Sequence, residues 1–340
     1  MATYYGTYGQ KVQYLASDPS DPQTGQVWYN STSAVLKVRS VTTSAAWSSG
    51  GNIPTATAGI AGCGTQTAAL GNGGYSGPSR FNTTILYNGS TWTVSPGNMN
   101  TARSYLSTTG TQTAAITANG NPGPGYSNNS ETWSGTAWTT TSPTSLTGGI
   151  RAASGTQTAA LMSGGYNAGV PNPSAYNSTS VEAWGGSSWT SVTGLNTGRT
   201  AGQGGVGTQT TALVMGGFTY PPSGYRTEVE SYNGSTWTNL TSMNTGRRYH
   251  AASGSPSSTL VYFGSTAATP AGVATSELWN GSTWTSSATG STGREALGGL
   301  GNSGTSTAAL AFGGSNPTVQ SATEEYAGAG TPVTRTVTVS

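Results

Sequence analysis

The chain alternates short apolar runs with short polar, glycine-rich segments, and the same order of segments recurs along most of its length. In each unit an Ala/Ser/Gly stretch leads into a Thr-rich apolar run that ends in Gly-Gly. A variable loop, an alternating apolar/polar segment, a tight turn and a Trp follow. Residues 156–165 (TQTAALMSGG), 180–184 and Trp189 show one complete unit. Runs this short, bounded by glycine, are typical of strands and not of helices.

Six tryptophans mark the repeat at intervals of 45 to 51 residues: Trp47, Trp92, Trp138, Trp189, Trp237 and Trp284. Such a period in a chain of short strands predicts a closed ring of repeated sheets. Asn-Gly pairs at 88–89, 233–234 and 280–281 predict two-residue type I′ turns, which would make the third and fourth strands of a unit hairpin neighbours. The sequence therefore predicts an all-β fold, a six-bladed β-propeller of four-stranded antiparallel blades. No run of about 18 apolar residues is present, so no membrane-spanning helix is expected.

The repeat is out of phase with the ends of the repeated region. Trp47 precedes the first complete unit, whereas the last unit has no Trp after its Glu324-Glu325-Tyr326 segment. We expect the segment around Trp47 to form the outermost strand of the last blade, which would remove an open sheet edge. The alternative is that residues 334–339 (TRTVTV) take this place.

Charged residues make up only 6% of the chain, yet they recur with the repeat. Five units carry an Arg near their start and a Glu two residues before an aromatic residue on the third strand. The remaining unit lacks both. The sequence predicts these structural pairs: Arg103 with Glu131, Arg151 with Glu182, Arg199 with Glu230, Arg247 with Glu277, and Arg294 with Glu324. We expect partly buried bidentate ion pairs; the alternative is that the arginines line one mouth of the ring and bind an anion.

The Gly-Gly, the Glu-x-aromatic segment and the Trp together resemble the kelch repeat, over about residues 44–328. That resemblance implies a propeller and carries no particular function, because propellers host enzymes, adaptors and binding modules alike. The chain departs from typical intracellular kelch domains in its high content of Thr, Ser, Gly and Asn.

Residues 1–43 differ from the repeats and contain a predicted hairpin within GQVWYNSTSAVLK. This segment resembles a short module at the head of structural proteins of tailed bacteriophages, marine phages especially. The resemblance implies a virion tail or head protein that attaches to the particle through residues 1–43. Residues 329–340 are expected to be a C-terminal strand or tail.

The composition resembles that of proteins that work outside cells, but the first residues lack the basic and apolar regions of a secretory signal. A virion protein, assembled in the host cytoplasm and released by lysis, satisfies both observations. The single cysteine, Cys63, is expected to be a buried, inert thiol.

Little in the chain points to catalysis. The single histidine, His250, makes a multi-histidine metal site impossible, and we expect neither a metal nor another cofactor. Glu228 with Glu230 and Glu324 with Glu325 are the carboxylate pairs closest in sequence, but adjacent strand residues point to opposite faces, so Glu324 and Glu325 are a poor catalytic pair. A net charge of +2 over 340 residues predicts no nucleic-acid interface.

The loops between the second and third strands vary most in length and would share a face with the segments that cross to the next blade. They carry five candidate binding tyrosines, with Asn and Pro around them: Tyr126, Tyr166, Tyr176, Tyr220 and Tyr225. Such residues suit rigid contact with sugars or protein; the alternative is that these tyrosines only cover blade edges.

These observations predict a non-enzymatic bacteriophage virion structural protein, present in multiple copies. Its propeller would expose a loop face for host attachment, through a surface glycan or protein, or for decoration of the particle. The alternative is an extracellular bacterial glycan-binding propeller. An enzyme with a carboxylate pair at the ring centre is the third possibility.

Overall fold

A computed structural model of the chain describes residues 12–41, 44–169, 176–200, 202, 204–220, 223–301, 304–330 and 332–337. These residues are organised in β-strands, and none of them forms a helix long and apolar enough to cross a membrane. The chain divides into two compact units. Unit 1 comprises residues 1–46 and 327–340, and unit 2 comprises residues 47–326.

Unit 2 contains five four-stranded antiparallel sheets, in which successive strands are neighbours. Sheet 1 consists of Ala61–Thr65, Ala68–Asn72, Thr84–Tyr87 and Trp92–Val94. Sheet 2 consists of Ser107–Gly110, Ala115–Ala118, Ser130–Trp133 and Trp138–Thr141. Sheet 3 consists of Ala152–Gly155, Ala160–Ser163, Val181–Trp184 and Trp189–Val192. Sheet 4 consists of Gly205–Gly207, Ala212–Met215, Val229–Tyr232 and Trp237–Leu240. Sheet 5 consists of Ala251–Ser255, Ser258–Tyr262, Ser276–Trp279 and Trp284–Ser286.

Sheet 6 joins the two ends of the repeated region. Its strands, in order, are Ala308–Phe312, Thr323–Ala327 and Ala46–Gly50, so the Trp47 segment lies at the outer edge beside the last strand of the repeats. On the inner side, isolated bridges of Gly298 with Phe312 and of Thr305 with Ala308 stand where the other sheets have their first strand.

Unit 1 is a sheet built from both chain ends. The hairpin of Val27–Asn30 and Val35–Val41 is flanked by Gln13–Leu15, which runs parallel to the first of these strands, and by Pro332–Val337, which runs antiparallel to the second. The C-terminal strand therefore lies beside the N-terminal hairpin and does not complete sheet 6. The apolar/polar alternation of this strand suits the edge of sheet 6 and the edge of the unit 1 sheet equally, because a strand with one buried face has this pattern in any sheet.

Short two-stranded β-ribbons form part of the loops of unit 2. They pair Tyr75–Ser76 with Ser79–Arg80, Gly148–Gly149 with Tyr166–Asn167, Phe218–Thr219 with Gly224–Tyr225, and Ser315–Asn316 with Thr318–Val319.

The turns at the Asn-Gly pairs differ from the predicted type. Tyr87 pairs with Trp92, so four residues connect the two strands instead of two. The Asn88 side-chain oxygen accepts hydrogen bonds from the N–H groups of Ser90 and Thr91, at 3.0 and 2.8 Å, and the positive φ falls on Gly89. The Asn therefore acts through its side chain, as in an Asx turn, and does not itself need the left-handed conformation.

The repeated tryptophans bind the sheets to one another. The indole N–H of Trp92 donates to Thr323 of sheet 6, and that of Trp138 donates to Thr84 of sheet 1. Trp237, Trp284 and Trp47 likewise donate to backbone carbonyls of the preceding unit. A buried indole N–H needs such an acceptor, which explains why Trp recurs at one position of the repeat.

The buried clusters lie between consecutive sheets. One cluster, which includes Ile60, Tyr87, Leu310 and Phe312, joins sheet 1 to sheet 6. Between sheets 5 and 6, Trp47 packs against Tyr262, Phe263 and Tyr326 with ring centroids 5.0 to 5.2 Å apart. The apolar residues of the repeat thus form interfaces between sheets.

A chain of backbone hydrogen bonds also connects sheets, through residues just before the first strands of sheets 1, 2, 3 and 5 and through Ala296, which precedes sheet 6. Tyr249 accepts from Ala296, Ala296 from Gly59, Gly59 from Tyr105, and Tyr105 from Ile150, at 2.8 to 3.0 Å. All five residues have positive φ angles between 50° and 59°. The same region contains a cavity of about 40 Å³, which is lined by Gly299 and by residues of the first strands of sheets 1 to 5: Ala61, Ser107, Ala153, Gly205 and Ala252.

Candidate functional site

Each of the five arginines lies against the glutamate with which the sequence pairs it. The distances between guanidinium nitrogen and carboxylate oxygen are 2.6 Å for Arg103–Glu131, 2.5 Å for Arg151–Glu182, 2.7 Å for Arg247–Glu277 and 3.2 Å for Arg294–Glu324. Arg199 and Glu230 form the fifth pair. Every one of these ten side chains is at most 4% exposed, so the arginines are out of reach of a soluble anion.

The geometry differs from the expected bidentate contact and explains how the pair ties a loop to its sheet. In sheet 2, one nitrogen of Arg103 donates to Glu131, and another donates to the backbone carbonyls of Asn119 and Asn129. The second oxygen of Glu131 accepts the N–H of Asn100 at 2.7 Å. The pair therefore connects the segment that crosses between sheets to the ends of the second and third strands.

Sheet 3 reaches the same contact by another route. Ser145 supplies the N–H that Glu182 accepts, and Arg151 follows it by six residues, whereas the arginine follows by three in the other four pairs. Gly148 occupies the usual position of the arginine. A Cβ on Gly148 would lie 1.8 Å from the carbonyl oxygen of Tyr166, so a side chain at that position has no room and the arginine comes later.

Burial governs the electrostatics of the pairs. It lowers the pKa of Arg103, Arg151 and Arg199 below the ordinary value, although the partner glutamates act in the opposite direction. Burial by itself would raise the pKa of Glu182, but Arg151 and the hydrogen bonds from Ser145 lower it overall. Arg151 and Glu182 therefore each favour the charged form of the other against the effect of burial.

The close carboxylates form no common site. Glu228 pairs with Arg226 at 2.6 Å, whereas Glu230 pairs with the buried Arg199. Glu324 contacts Arg294, and Glu325 accepts a hydrogen bond from the Tyr87 hydroxyl. Among the residues that the structure describes, no group of three His, Cys, Asp or Glu side chains could hold a metal ion.

The five predicted tyrosines lie together on one face of unit 2. Tyr166 packs at a tilt against Tyr126 and Tyr176, with ring centroids 4.9 and 4.8 Å away, and Tyr220 and Tyr225 pack on Phe218 at 4.7 and 5.2 Å. Isolated bridges join the crossing segments to the loops between second and third strands, for example Thr200 with Phe218. All five tyrosines are half-buried.

Residues that the sequence did not single out complete this aromatic cluster. Tyr105 and Tyr249 come from the crossing segments and lie 5.7 Å apart, in the same cluster as Tyr166, Tyr220 and Tyr225. The guanidinium of Arg248 lies 4.8 to 5.3 Å from the ring centroids of Phe218, Tyr225 and Tyr249. Burial raises the pKa of Tyr166 to about 12, so its hydroxyl stays protonated at neutral pH. The face therefore places the guanidinium of Arg248 among aromatic rings.

A further set of residues that sequence reasoning missed is visible in the TQT motif. Gln66, Gln112 and Gln209 each donate their side-chain amide to two backbone carbonyls of the preceding sheet; for Gln66 these are Ala309 and Tyr326 of sheet 6, both at 2.8 Å. The recurrence of Gln between two threonines was the available signal. These residues are structural, because they connect sheets and lie away from the aromatic cluster.

Cys63 and His250 are buried. Burial raises the pKa of the Cys63 thiol to about 12, which keeps it protonated and unreactive. His250 fits beside two glycines: a Cβ on Gly204 or Gly216 would lie 2.3 or 2.8 Å from its ring. Burial, with the nearby Arg247, lowers the pKa of His250 to about 3. The imidazole is therefore neutral in the folded protein.

The His250 side chain should make stability fall in mild acid. Because its folded pKa is about 3 and its ordinary value is 6.5, the unfolded chain binds a proton between these values that the folded chain does not. The free energy of unfolding should then decrease as pH falls below 6.5, by up to about 1.4 kcal/mol per pH unit. Urea unfolding at pH 7, 6 and 5 measures this slope. His250→Gln should flatten it; equal slopes for the two proteins would contradict the assignment.

The comparisons with known proteins give a fold and no family. No family model matches the chain, and no curated protein matches it. Among solved structures, one described as "Structure of YjhT" is similar, with a TM-score of 0.65 and 13% sequence identity over 80% of this chain and 95% of that chain. At this identity the similarity concerns the fold alone, which is all-β and propeller-like.

Proposed function

We propose that this chain is a non-enzymatic structural protein of a bacteriophage virion. In this proposal unit 2 is a six-bladed, kelch-like β-propeller, each of the six sheets being one blade. Unit 1 fixes it to the tail or head through other virion proteins. The face that carries the aromatic cluster contacts the host surface or decorates the particle.

Three observations support the ring. The innermost strands or segments of consecutive sheets contact one another, and sheet 6 contacts sheet 1. The Phe312 cluster fills the space between these two sheets. Gln66 of sheet 1 donates to two carbonyls of sheet 6. An open array would leave sheets 1 and 6 with exposed apolar faces, so burial of both favours closure.

The observation that carries the attachment role is the separate sheet made by the two chain ends. The pairing of Val35–Val41 with Pro332–Val337 gives unit 1 a sheet of its own, which shares no strand with the six sheets of the repeated region. Sheet 6 already joins the two ends of the repeated region, so a propeller does not need the unit 1 sheet for its stability. Unit 1 is therefore suited to a second task, and its exposed side chains Val12 and Tyr14, 54% and 75% exposed, offer apolar contact area.

An extracellular glycan-binding propeller is the second candidate. The half-buried aromatic cluster favours it, because rigid tyrosines with few exposed charges suit sugars as well as proteins. The two candidates differ in where the protein is found.

Fractionation of purified phage particles tests the proposal. The chain should remain with the particles at a constant number of copies through density-gradient centrifugation, and its absence from them would contradict a virion role. A Val12→Ser, Tyr14→Ser double variant should join particles at least tenfold less. The matched control is Val94→Ser, which changes an apolar residue of unit 2 that is 55% exposed. Equal incorporation of both variants would remove the attachment role from this surface of unit 1.

A further inference from the structure

A groove of about 580 Å³ lies on the same face of unit 2, beside the aromatic cluster. It runs between the loop that precedes the third strand of sheet 3, the segment that crosses to sheet 4, and the loop that precedes the third strand of sheet 4. Asn177 and Thr179, then Thr197 and Gly198, then residues 223–228 line these three sides. A volume of this size is in the range of small-ligand sites.

The lining of the groove is rich in hydroxyl groups. Five Ser and Thr residues contribute to it: Thr179, Thr197, Thr219, Ser223 and Thr227. The Thr219 hydroxyl donates to the carbonyl of Gly224 at 3.5 Å. A hydroxyl can donate and accept a hydrogen bond, so the other four together match a ligand whose own groups are hydroxyls. Tyr225 adds a ring whose position is fixed by Phe218 and Arg248. An aromatic surface beside hydrogen-bonding groups suits the apolar and polar sides of a sugar ring.

The charges of the groove are balanced before any ligand arrives. Arg226 and Glu228 form an ion pair at 2.6 Å, with side chains 27% and 40% exposed, and the arginine beneath them, Arg199, is neutralised by Glu230. Within the described lining, a charged ligand therefore meets no unpaired opposite charge. A neutral ligand with two adjacent hydroxyls can donate to the carboxylate and accept from the guanidinium without separating the pair.

The walls of the groove are held in place by hydrogen bonds across neighbouring sheets. The Asn177 side chain accepts the N–H of Tyr220 at 3.0 Å and donates to its carbonyl at 2.5 Å, which connects the loop of sheet 3 to the loop of sheet 4. The N–H of Thr197 donates to Glu230 at 3.3 Å. A preformed site loses little conformational entropy on binding, which favours even a small ligand.

We infer that this groove binds a neutral saccharide, with the Arg226–Glu228 pair bridging two adjacent ring hydroxyls and Tyr225 contacting the ring. The inference rests on the proposed function, since it names the chemistry by which the loop face would contact a host surface. No covalent step is involved.

Saturation-transfer NMR on the full-length protein tests the inference with three probes. Methyl α-D-glucopyranoside, methyl α-D-mannopyranoside and methyl β-D-galactopyranoside together present trans and cis arrangements of adjacent ring hydroxyls. At least one should receive saturation from the protein. Glu228→Gln and Tyr225→Leu should each weaken its binding at least tenfold. D-glucuronic acid, which adds a carboxylate, should bind more weakly than the best neutral probe.

Two control variants separate the groove from general surface effects. Asp21→Asn removes an exposed carboxylate of unit 1, and Tyr14→Leu removes an exposed tyrosine of that unit; both should bind the probes like the unaltered protein. No saturation transfer to any neutral probe would overturn the inference, as would binding that survives both groove variants or a preference for the acid. A protein that stays with phage particles but binds no probe would refute the groove and leave the virion role intact.

Discussion

Replacement of Glu230 by Gln is expected to lower the free energy of unfolding by about 3 to 5 kcal/mol. The change leaves the Arg199 guanidinium buried without a counter-charge, and it also weakens the acceptor for the N–H of Asn196, which now donates at 2.7 Å. Arg199→Ala should cost nearly as much, because it leaves the carboxylate buried alone. Urea unfolding of the purified variants gives these values.

The double variant and a neighbouring ion pair provide the controls. Once one partner is gone, loss of the other should add little, so the combined effect should fall far short of the sum. Additive losses would show that the two side chains do not depend on each other. Glu228→Gln is the matched control, because Glu228 belongs to a partly exposed pair two residues away, and such pairs contribute about 0 to 1 kcal/mol.

Replacement of Phe312 by Ala should have a similarly large effect, for a different reason. Its ring is fully buried and lies 4.6 Å from that of Trp92, between sheets 6 and 1. A Cβ on Gly62, Gly71 or Gly298 would lie 2.3 to 2.8 Å from the ring, so the absence of side chains at these three positions makes room for it. Truncation leaves a cavity and should cost about 3 to 5 kcal/mol in urea unfolding.

Hydrogen exchange can show which strands Phe312→Ala destabilises. Exchange should accelerate first in Ala61–Thr65 and Ala308–Phe312, before Gly205–Gly207 of sheet 4, if the space between sheets 6 and 1 opens locally. Phe312→Leu, which keeps most of the volume, should lose much less. A loss below about 1 kcal/mol for the alanine variant would contradict a packed junction between these sheets.

The sequence revealed those features that recur at one position of every unit. The tryptophans predicted the sheets because five of the six repeated indoles, all except that of Trp189, donate a hydrogen bond to a neighbouring unit. The Arg and Glu residues predicted contacts because both are present in five units and both are missing from the remaining one, where Thr57 precedes sheet 1 and Ile85 lies on its third strand. In a chain with so few charges, such joint occurrence is informative about burial.

The partner of the C-terminal strand was not predictable, because this strand lies outside the repeat and its phase gives no information about it. Nothing in residues 332–337 specifies Val35–Val41 as their neighbour, because an alternating strand fits many edges. The aromatic cluster was found only in part, since Tyr105 and Tyr249 follow arginines in the crossing segments and not in the variable loops. The groove was missed because Thr and Ser are common throughout the chain, so their convergence carried no local signal.

The pairing of Ala46–Gly50 with Thr323–Ala327 has a consequence for biosynthesis. The two strands lie at opposite ends of the repeated region. During translation, the ribosome must therefore add some 280 further residues to the first strand before its partner has been synthesised. Closing so long a loop is slow and costly in chain entropy, whereas the sheets in between form from sequence neighbours. Translation that stops before residue 323 would therefore leave Trp47, and the face of sheet 1 that packs against sheet 6, incompletely covered. We expect such fragments to aggregate or be degraded.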